Sequence, residues 1–561
     1  GKEVGMEQKE NRRLAPFGRD DRQLLAKGYS DAGASYARRA LKGFVAQSGS
    51  PQEDIDVNNY TLRQRARMLY MSAPIATSAI KTNRTNVIGR GLWLKSVINR
   101  ETLGLTQESA RAWQRRTEEE FRLWAADKRS CDALGISNFY ASQGVAFAAQ
   151  LLSGDVFVLL RHIKPTLQRP YGLRFQIIEA DLVSTPMAAT GVYNAGMNFT
   201  RGTNPDNGNP IFDGVETDKD TGEIVAYYIA SQYPYEWTGA TTEWTRVEAY
   251  SQATGLPNIL HIMDPERPQQ YRGVTYLAQV IEPLLQVRRY SESELTAAIV
   301  ESFFTAFIKT AATTTDMPFN TVGGSPGDPP VATQPNEYEM GPGTVNVLKP
   351  GEDVQFGDPK RPAGGFEAFV NAVCKQIGAA LEIPADLLLK AFNASYSASR
   401  AALLEAWKAF KMRREWFIDD FCKPIYEIWL YEAVARGRIP APGFFGDARI
   451  RAAWTRSEWT GPSQGQLDPV KEIQAEQLAC ENGYSTRTAS AIRLNGSSFE
   501  DNIEQLKIEN AQLREAENGS GQGLRASADK RAADAGLDAL AAVLLPRMQK
   551  ILKEESKHVE G

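Results

Sequence analysis

Apolar residues recur at mixed three- and four-residue spacing between Asn59 and Ile88, at Leu62, Ala66, Leu69, Ala76, Ala79 and Ile80. That spacing predicts a helix with one buried face. Pro74 lies inside it and lacks the N–H a helix interior uses, so a break or kink is expected there. A second helix is predicted over 106–127, with Thr106 as N-cap and Trp113, Phe121 and Trp124 on one side. A third falls near 137–152. The period then drops to two. Residues 156–160, 173–178, 224–229 and 259–263 read as strands separated by Gly, Pro and Asn turns, so 59–265 forms an α+β unit.

Helical spacing returns over 274–310, where Leu277, Ile281, Leu284, Leu295, Ile299 and Phe303 make the stripe and Pro283 is a potential bend. Residues 313–365 lose that period and hold nine prolines, with strand-like runs only at 345–348 and 353–356. A helix over 366–382 brings the chain back, so helix, β-rich excursion and helix make a protruding hairpin. After a connector at 383–398, a helix over 399–435 places Leu403, Trp407, Phe410, Phe417, Phe421, Ile425 and Ile428 on one face, with a kink expected at Pro424. Residues 436–462 are rich in Pro, Gly and aromatics. Asp468 and Pro469 then open a helical region to about 514, as N-cap and first helical residue. Beyond the Gly/Ser linker at 518–523, Leu537, Leu540, Leu544, Met548 and Ile551 predict a last amphipathic helix, with Pro546 against it. Residues 1–58, with Arg12-Arg13 and Arg38-Arg39, read as a solvated arm.

A chain of 561 residues exceeds one simple core, and three or four structural units are expected. Hydrophobic content of 42% with 24% charged residues is that of a globular protein. A net charge of −4 argues against a chain-wide basic surface made to grip nucleic-acid backbone. Cys131, Cys374, Cys422 and Cys480 lie far apart without a CxxC, so they read as inert thiols of a reducing cytoplasm rather than a zinc site or disulfide scaffold. No apolar run reaches the ~18 residues needed to span a bilayer.

Enzyme signatures are hard to find. Neither GxxxxGK[ST] nor a strand-linked GxGxxG occurs, and Gly323-Gly324-Ser325-Pro326-Gly327 runs into Asp328-Pro329-Pro330, which cannot open the helix a phosphate cradle needs. His162 and His261 sit in apolar strands and read as core or edge-strand residues; His558 is in the tail. Adjacent acids such as Asp419-Asp420 and Glu118-Glu119-Glu120 diverge by about 100° on a helix and read as solvated faces rather than metal ligands. Ser395, Ser397 and Ser399 lack an SxxK or GxSxG partner, and turn or N-cap bonding is their simpler role.

Three separated blocks carry a resemblance. Leu69-Tyr70-Met71-Ser72-Ala73-Pro74-Ile75-Ala76 with Asn86-Val87-Ile88-Gly89-Arg90-Gly91-Leu92 is one. Asn393-Ala394-Ser395-Tyr396-Ser397-Ala398-Ser399-Arg400, between GAALEIPADLLLKAF and AALLEAWKAF, is the second. Trp459-Thr460-Gly461-Pro462 followed by Leu467-Asp468-Pro469-Val470-Lys471-Glu472 is the third. In this order they resemble the portal proteins of tailed phages, lambda family.

The resemblance implies an α+β portal fold assembled as a ring. Its parts would be an N-terminal arm (1–58), an α/β wing (59–272), a stem helix (273–312), a β-rich clip (313–362) and a second stem helix (363–382). A channel (tunnel) loop (383–398), a long kinked helix (399–435), a wing return segment (436–465), a helical crown (466–517) and a linker with tail (518–561) would follow. It further implies a dodecameric homo-oligomer at one capsid vertex of the virion, built in the host cytoplasm, without enzyme activity, cofactor, metal or membrane. Double-stranded DNA would pass through it. The terminase large subunit, a head-completion or adaptor protein, and the major capsid and scaffold proteins would be its partners. Lys390, Asn393, Ser395, Tyr396 and Ser397 would face the channel, a plain helix-connecting loop being the alternative. Asn320, Asp328, Glu337 and Tyr338 would lie on the clip, which is richer in Pro and Gly than the family pattern. A nuclease or terminase-related enzyme, and a non-ring capsid or baseplate protein, are the competing classes.

Overall fold

A computed structural model describes residues 39–44, 46–190, 200–233, 236, 241–302, 306–310, 352–356, 365–392, 396–465, 468–497 and 499–519. The N-terminal helical stretch splits where the proline requires. Helix Val57–Ser72 stops at Ala73, whose backbone is extended, and Pro74 opens helix Pro74–Val87 at a position that needs no donor. Ala66, Leu69, Ala76, Ala79 and Ile80 are buried as the spacing predicts, but Asn59 and Arg63 share the buried face. Helix Gln107–Ala126 starts behind Thr106, whose side chain accepts from the Ser109 N–H; Asn138 caps Phe139–Ser153 in the same way.

Strands β1 to β12 group into four sheets among the described residues. β2 (Asp155–His162) lies between β3 (Leu173–Glu179) and β9 (Ile259–Met263), antiparallel to both. The two-residue period of β2 divides the cores: Val156 and Val158 face the main helical core, whereas Phe157 faces a second one. That second core is shared with a five-stranded antiparallel sheet of β4 (Arg201–Thr203), β5 (Pro210–Phe212), β6 (Val215–Thr217), β7 (Ile224–Ala230) and β8 (Trp244–Glu248). β4, β5 and β6 have three residues each, too few to print a period on the sequence.

In the main core Phe121 meets Phe139, Tyr426, Trp429 and Trp459 edge-on, with ring centroids 5.0 to 5.9 Å apart. These rings tie helix 107–126 to the end of the long helical region and to β12 (Ser457–Thr460). β12 pairs antiparallel with β1 (Trp93–Ser96), so the early and late parts of the chain close on each other.

Three expectations are corrected. The helix read over 274–310 is a 3₁₀ turn at Ala278–Val280 and an α-helix Ile281–Ser302. Residues 306–310 instead form β10 (Ala306–Thr310), paired with β11 (Glu352–Phe356). The long-range partner overrides a stripe that only Phe303 was extending. Pro283 falls in the first turn, where its missing N–H is harmless. The long helix begins at Tyr396 rather than at 399, so Ser397 and Ser399 lie inside its first turn and are not N-caps. Where Pro424 predicts a kink, a π-helical turn Ile418–Cys422 separates Tyr396–Phe417 from Lys423–Ala435. The wider turn places Pro424 in a new first turn and removes the clash. Asp468 accepts from the Lys471 N–H and Pro469 opens helix Pro469–Glu481; Arg487–Asn495 and Phe499–Gly519 follow. The run at 345–348 and the helix predicted over 537–551 lie outside the described residues.

Candidate functional site

The hairpin that carries the candidate loop is built from helix 281–302 and helix Phe366–Ala380. Leu284, Val287 and Cys374 are buried between and beneath them, and Tyr290 packs on Phe366 and Phe369 at 5.5 and 4.8 Å. Further out the apolar stripe is more exposed: Leu295 is 64% and Ile299 50% exposed.

From helix 366–380 the chain folds back at once. The Ile383 N–H donates to the Gly378 carbonyl at 2.9 Å, and the Leu381 N–H to Ile377 at 3.0 Å. A five-residue helix, Ala385–Leu389, follows within what reads as an irregular connector. Its base is clamped from three sides. Ser78 Oγ donates to the Leu388 carbonyl at 2.6 Å, and the Tyr276 hydroxyl donates to Leu381 O. Arg413 donates to Glu382 Oε2 at 2.6 Å and Asn83 Oδ1 at 3.0 Å, with its guanidinium 4.9 Å over the Tyr276 ring. Burial pushes the Tyr276 phenol up, so it stays a donor. Leu381, Ile383 and Leu388 are all buried.

The candidate residues divide on this frame. Lys390 closes the short helix in the left-handed region at φ 55° and is exposed, while Glu382 at φ 53° marks the helix's other side. Two non-glycine residues in that region, each costing about 1–3 kcal/mol, are tolerated only because the surrounding bonds over-determine them. Tyr396 and Ser397 belong to the first turn of helix 396–417 rather than to a loop, and Ser397 is exposed. Asn393, Ser395, Asn320, Asp328, Glu337 and Tyr338 lie outside the described residues.

The first and third sequence blocks converge on one residue of helix 396–417. Arg414 donates to the carbonyls of Asn86 (2.7 Å), Val87 (2.9 Å) and Pro462 (2.9 Å), and burial lowers its pKa to about 10. Gly89 passes so close to Pro462 that an added Cβ would lie 2.4 Å from its Cγ.

Sequence reasoning missed a buried charge network under the second core. Asp155 accepts from Arg272 Nε at 2.6 Å, Arg63 Nη2 at 3.4 Å and the Gly273 N–H at 3.1 Å, and lies 3.4 Å from His261 Nε2. Desolvation opposes its ionisation, but the two guanidiniums win and hold it far below the usual carboxylate range. His261 is kept neutral by burial and stacks on Phe157 at 4.3 Å, the core histidine that its strand position predicts. Arg272 also reaches Asp213 (2.7 Å) and the carbonyls of Val183 and Ala180. Asp56 completes the cluster; burial first and Asp213 second raise its pKa to about 7, and its Oδ2 has no hydrogen-bond partner among the described residues. Arg63 on the buried stripe of its helix was the one signal of this network in the sequence.

The acidic runs point apart. Glu118 accepts from the Ser96 N–H at 2.7 Å, Glu120 from Arg438 (2.7 Å) and the Tyr171 hydroxyl (2.8 Å), and Asp419 pairs with Lys423. Among the described residues no three His, Cys, Asp or Glu side chains form a metal-holding group, and no helix is long and apolar enough to cross a membrane.

Residues 37–414 match the family model described as phage portal protein, lambda family. The portal protein B of Escherichia phage lambda is 22% identical over 480 residues, covering 82% of this chain and 85% of that protein. The portal protein of Escherichia phage N15 is 23% identical over 512 residues, covering 87% and 91%. Among solved structures, the neck of a native GTA particle covers 78% of this chain and 94% of its own, at 12% identity and a TM-score of 0.38. The neck of the empty particle aligns with a TM-score of 0.40 at 12% identity, over the same shares of the two chains.

Proposed function

The chain belongs to the lambda family of phage portal proteins, and on that footing we propose that twelve copies close into a ring at one capsid vertex. The ring is the conduit through which double-stranded DNA is packaged and ejected. The family match over 37–414 carries this reading. The exposure of Leu295 on the hairpin, 64%, supports it, since a neighbouring copy would bury an apolar side chain of that kind.

In this ring 59–272 is the wing, 273–312 and 363–382 the stem, 313–362 the clip, and 466–517 the crown. The clip residues Asn320, Asp328, Glu337 and Tyr338 meet the terminase large subunit during packaging and a head-completion protein afterwards. The arm and wing meet the major capsid and scaffold proteins. The chain contributes no catalysis: the acidic runs serve separate structural partners, and hydrolysis belongs to the docked motor.

The segment 384–398 acts on DNA in the bore, with Lys390, Asn393, Ser395, Tyr396 and Ser397 as its channel-facing residues. The clamps at Ser78, Tyr276 and Arg413 support this, because they fix residues 381–388, from which the segment sets out. One lysine per copy makes a sparse cationic ring, screened over ~8 Å at physiological salt. Neutral hydrogen bonds worth about 1 kcal/mol each let a duplex keep moving. Lys390→Glu is therefore expected to leave rings and proheads intact while changing DNA retention or packaging. Variants that fail to form rings, yet package normally once rings are rescued, would make the loop a structural connector instead.

A further inference from the structure

Helix 499–519 turns one side to the body of this chain. Its first half lies along a trough walled by helix 107–126 and β1: Glu504 pairs with Arg115, Lys95 donates to Glu500 at 3.1 Å, and Ile508 lines the same trough. At about 100° per residue, Glu504 and Ile508 point about 140–180° away from Leu506 and Leu513. Those two leucines lie within about 20° of each other, and each is 52% exposed.

Their side of the helix has the spacing of a helix–helix seam. Ile503, Leu506, Asn510 and Leu513 follow at intervals of three, four and three. These are the a and d places of a heptad, with Ile and Asn at a and Leu at d. The two flanks of the seam differ in charge. Lys507 and Arg514 stand at the e places, and Asn502 and Glu509 at the g places. Glu509 and Arg514 are both exposed, and neither makes an ion pair among the described residues. Glu509 accepts from Gln505 of its own helix at 2.9 Å.

These charges select what covers the seam. In parallel helices held in register, a g residue meets the e residue five places further along its neighbour. Counting on from Glu509 gives Arg514, so a second copy of this helix offers each flank its complement, and Asn502 falls opposite Lys507. An antiparallel copy would instead set the two cations of the e flank beside those of its partner. Asn510 in the apolar seam fixes the register, because its amide is satisfied opposite the same amide. Copies related by the rotation of a ring meet through unlike flanks, the arrangement these charges suit.

We propose that helix 499–519 of one copy packs parallel and in register against the same helix of the next, with Leu506 and Leu513 in the contact and Glu509 of one facing Arg514 of its neighbour. The contact rests on the ring reading above. It lies outside residues 37–414, the part that matches the family model, and is read from this helix alone.

The test follows ring fraction by mass photometry across protein concentration. It compares the wild-type full chain with Leu506→Asp/Leu513→Asp, with Glu509→Arg, with Arg514→Glu, and with Glu509→Arg/Arg514→Glu in one chain. The leucine variant is expected to raise the half-assembly concentration about tenfold or more, and each single charge reversal about threefold or more. The combined swap is expected to return it to the wild-type value. All four side chains are exposed, so the variants keep the fold of the single copy. If the leucine variant assembles as the wild type does, or the swap assembles no better than its single reversals, the helix contact is overturned while wild-type rings keep the portal reading. A wild-type chain that never leaves the monomer state overturns both.

Discussion

Asp56→Asn is the most informative single substitution in the buried network. Asp56 is 2% exposed, faces Asp213, Arg272, Asp155 and Arg63, and has its pKa raised to about 7 from an ordinary 3.8. A carboxyl raised in the fold holds its proton more tightly there than in the unfolded chain. Its stabilising share is therefore complete below pH 3.8 and is lost as pH rises through about 7. At about 1.4 kcal/mol per tenfold change in proton activity, the fold loses about 2–3 kcal/mol through this group between about pH 5 and about pH 8. Asparagine has the same shape and cannot ionise, so the variant lacks that slope. Urea unfolding followed by tryptophan fluorescence at both pH values measures it: the wild type is expected to fall relative to the variant by about 2–3 kcal/mol as pH rises. A constant offset between the two curves is compatible with the reasoning. Parallel curves with no pH-dependent difference would refute it.

Gly154 has φ +91° and an added Cβ would lie 2.4 Å from the Gly273 carbonyl oxygen, so Gly154→Ala is expected to destabilise by ~2–4 kcal/mol in urea unfolding; a neutral result would mean the two backbones do not cross this closely. Phe121→Ala removes the ring at the centre of the aromatic core, 1% exposed, and should cost about 3–5 kcal/mol by the same assay. Lys390→Gly relieves the left-handed backbone at φ 55° and should raise stability by about 0.5–1 kcal/mol. A loss of stability there would place the lysine side chain in a contact that one copy does not contain.

Much of the helical skeleton was legible because its ends are chemically marked. Thr106 and Asp468 each cap a helix by accepting from a nearby N–H, Pro469 opens the second of these, and Pro74 stops one. Local signals suffice for such features. β10 was not legible, since Ala306–Thr310 becomes a strand through a partner at 352–356. The charge network was hidden for the same reason: Arg63 and Arg272 meet Asp155 from 92 and 117 residues away. At the candidate site the connector was legible as a turn-prone segment after a helix. Its short helix, its left-handed Lys390 and the Arg413 clamp depend on Asn83, Tyr276 and Glu382, which the sequence does not place together. Tyr396 and Ser397 read as loop because Ser and Asn favour turns, yet the helix of which they form the first turn claims them.

The proposed ring has a bore lined by the 384–398 segments. Cryo-electron microscopy of the purified full chain tests it most directly. Closed rings are expected, twelvefold within capsids, with helices 281–302 of adjacent copies in contact across Leu295 and Ile299 and with Lys390 at the narrowest passage. Particles that stay at the 62.0 kDa monomer mass at every concentration and salt tried, or rings that carry Lys390 on the outer rim, would contradict it.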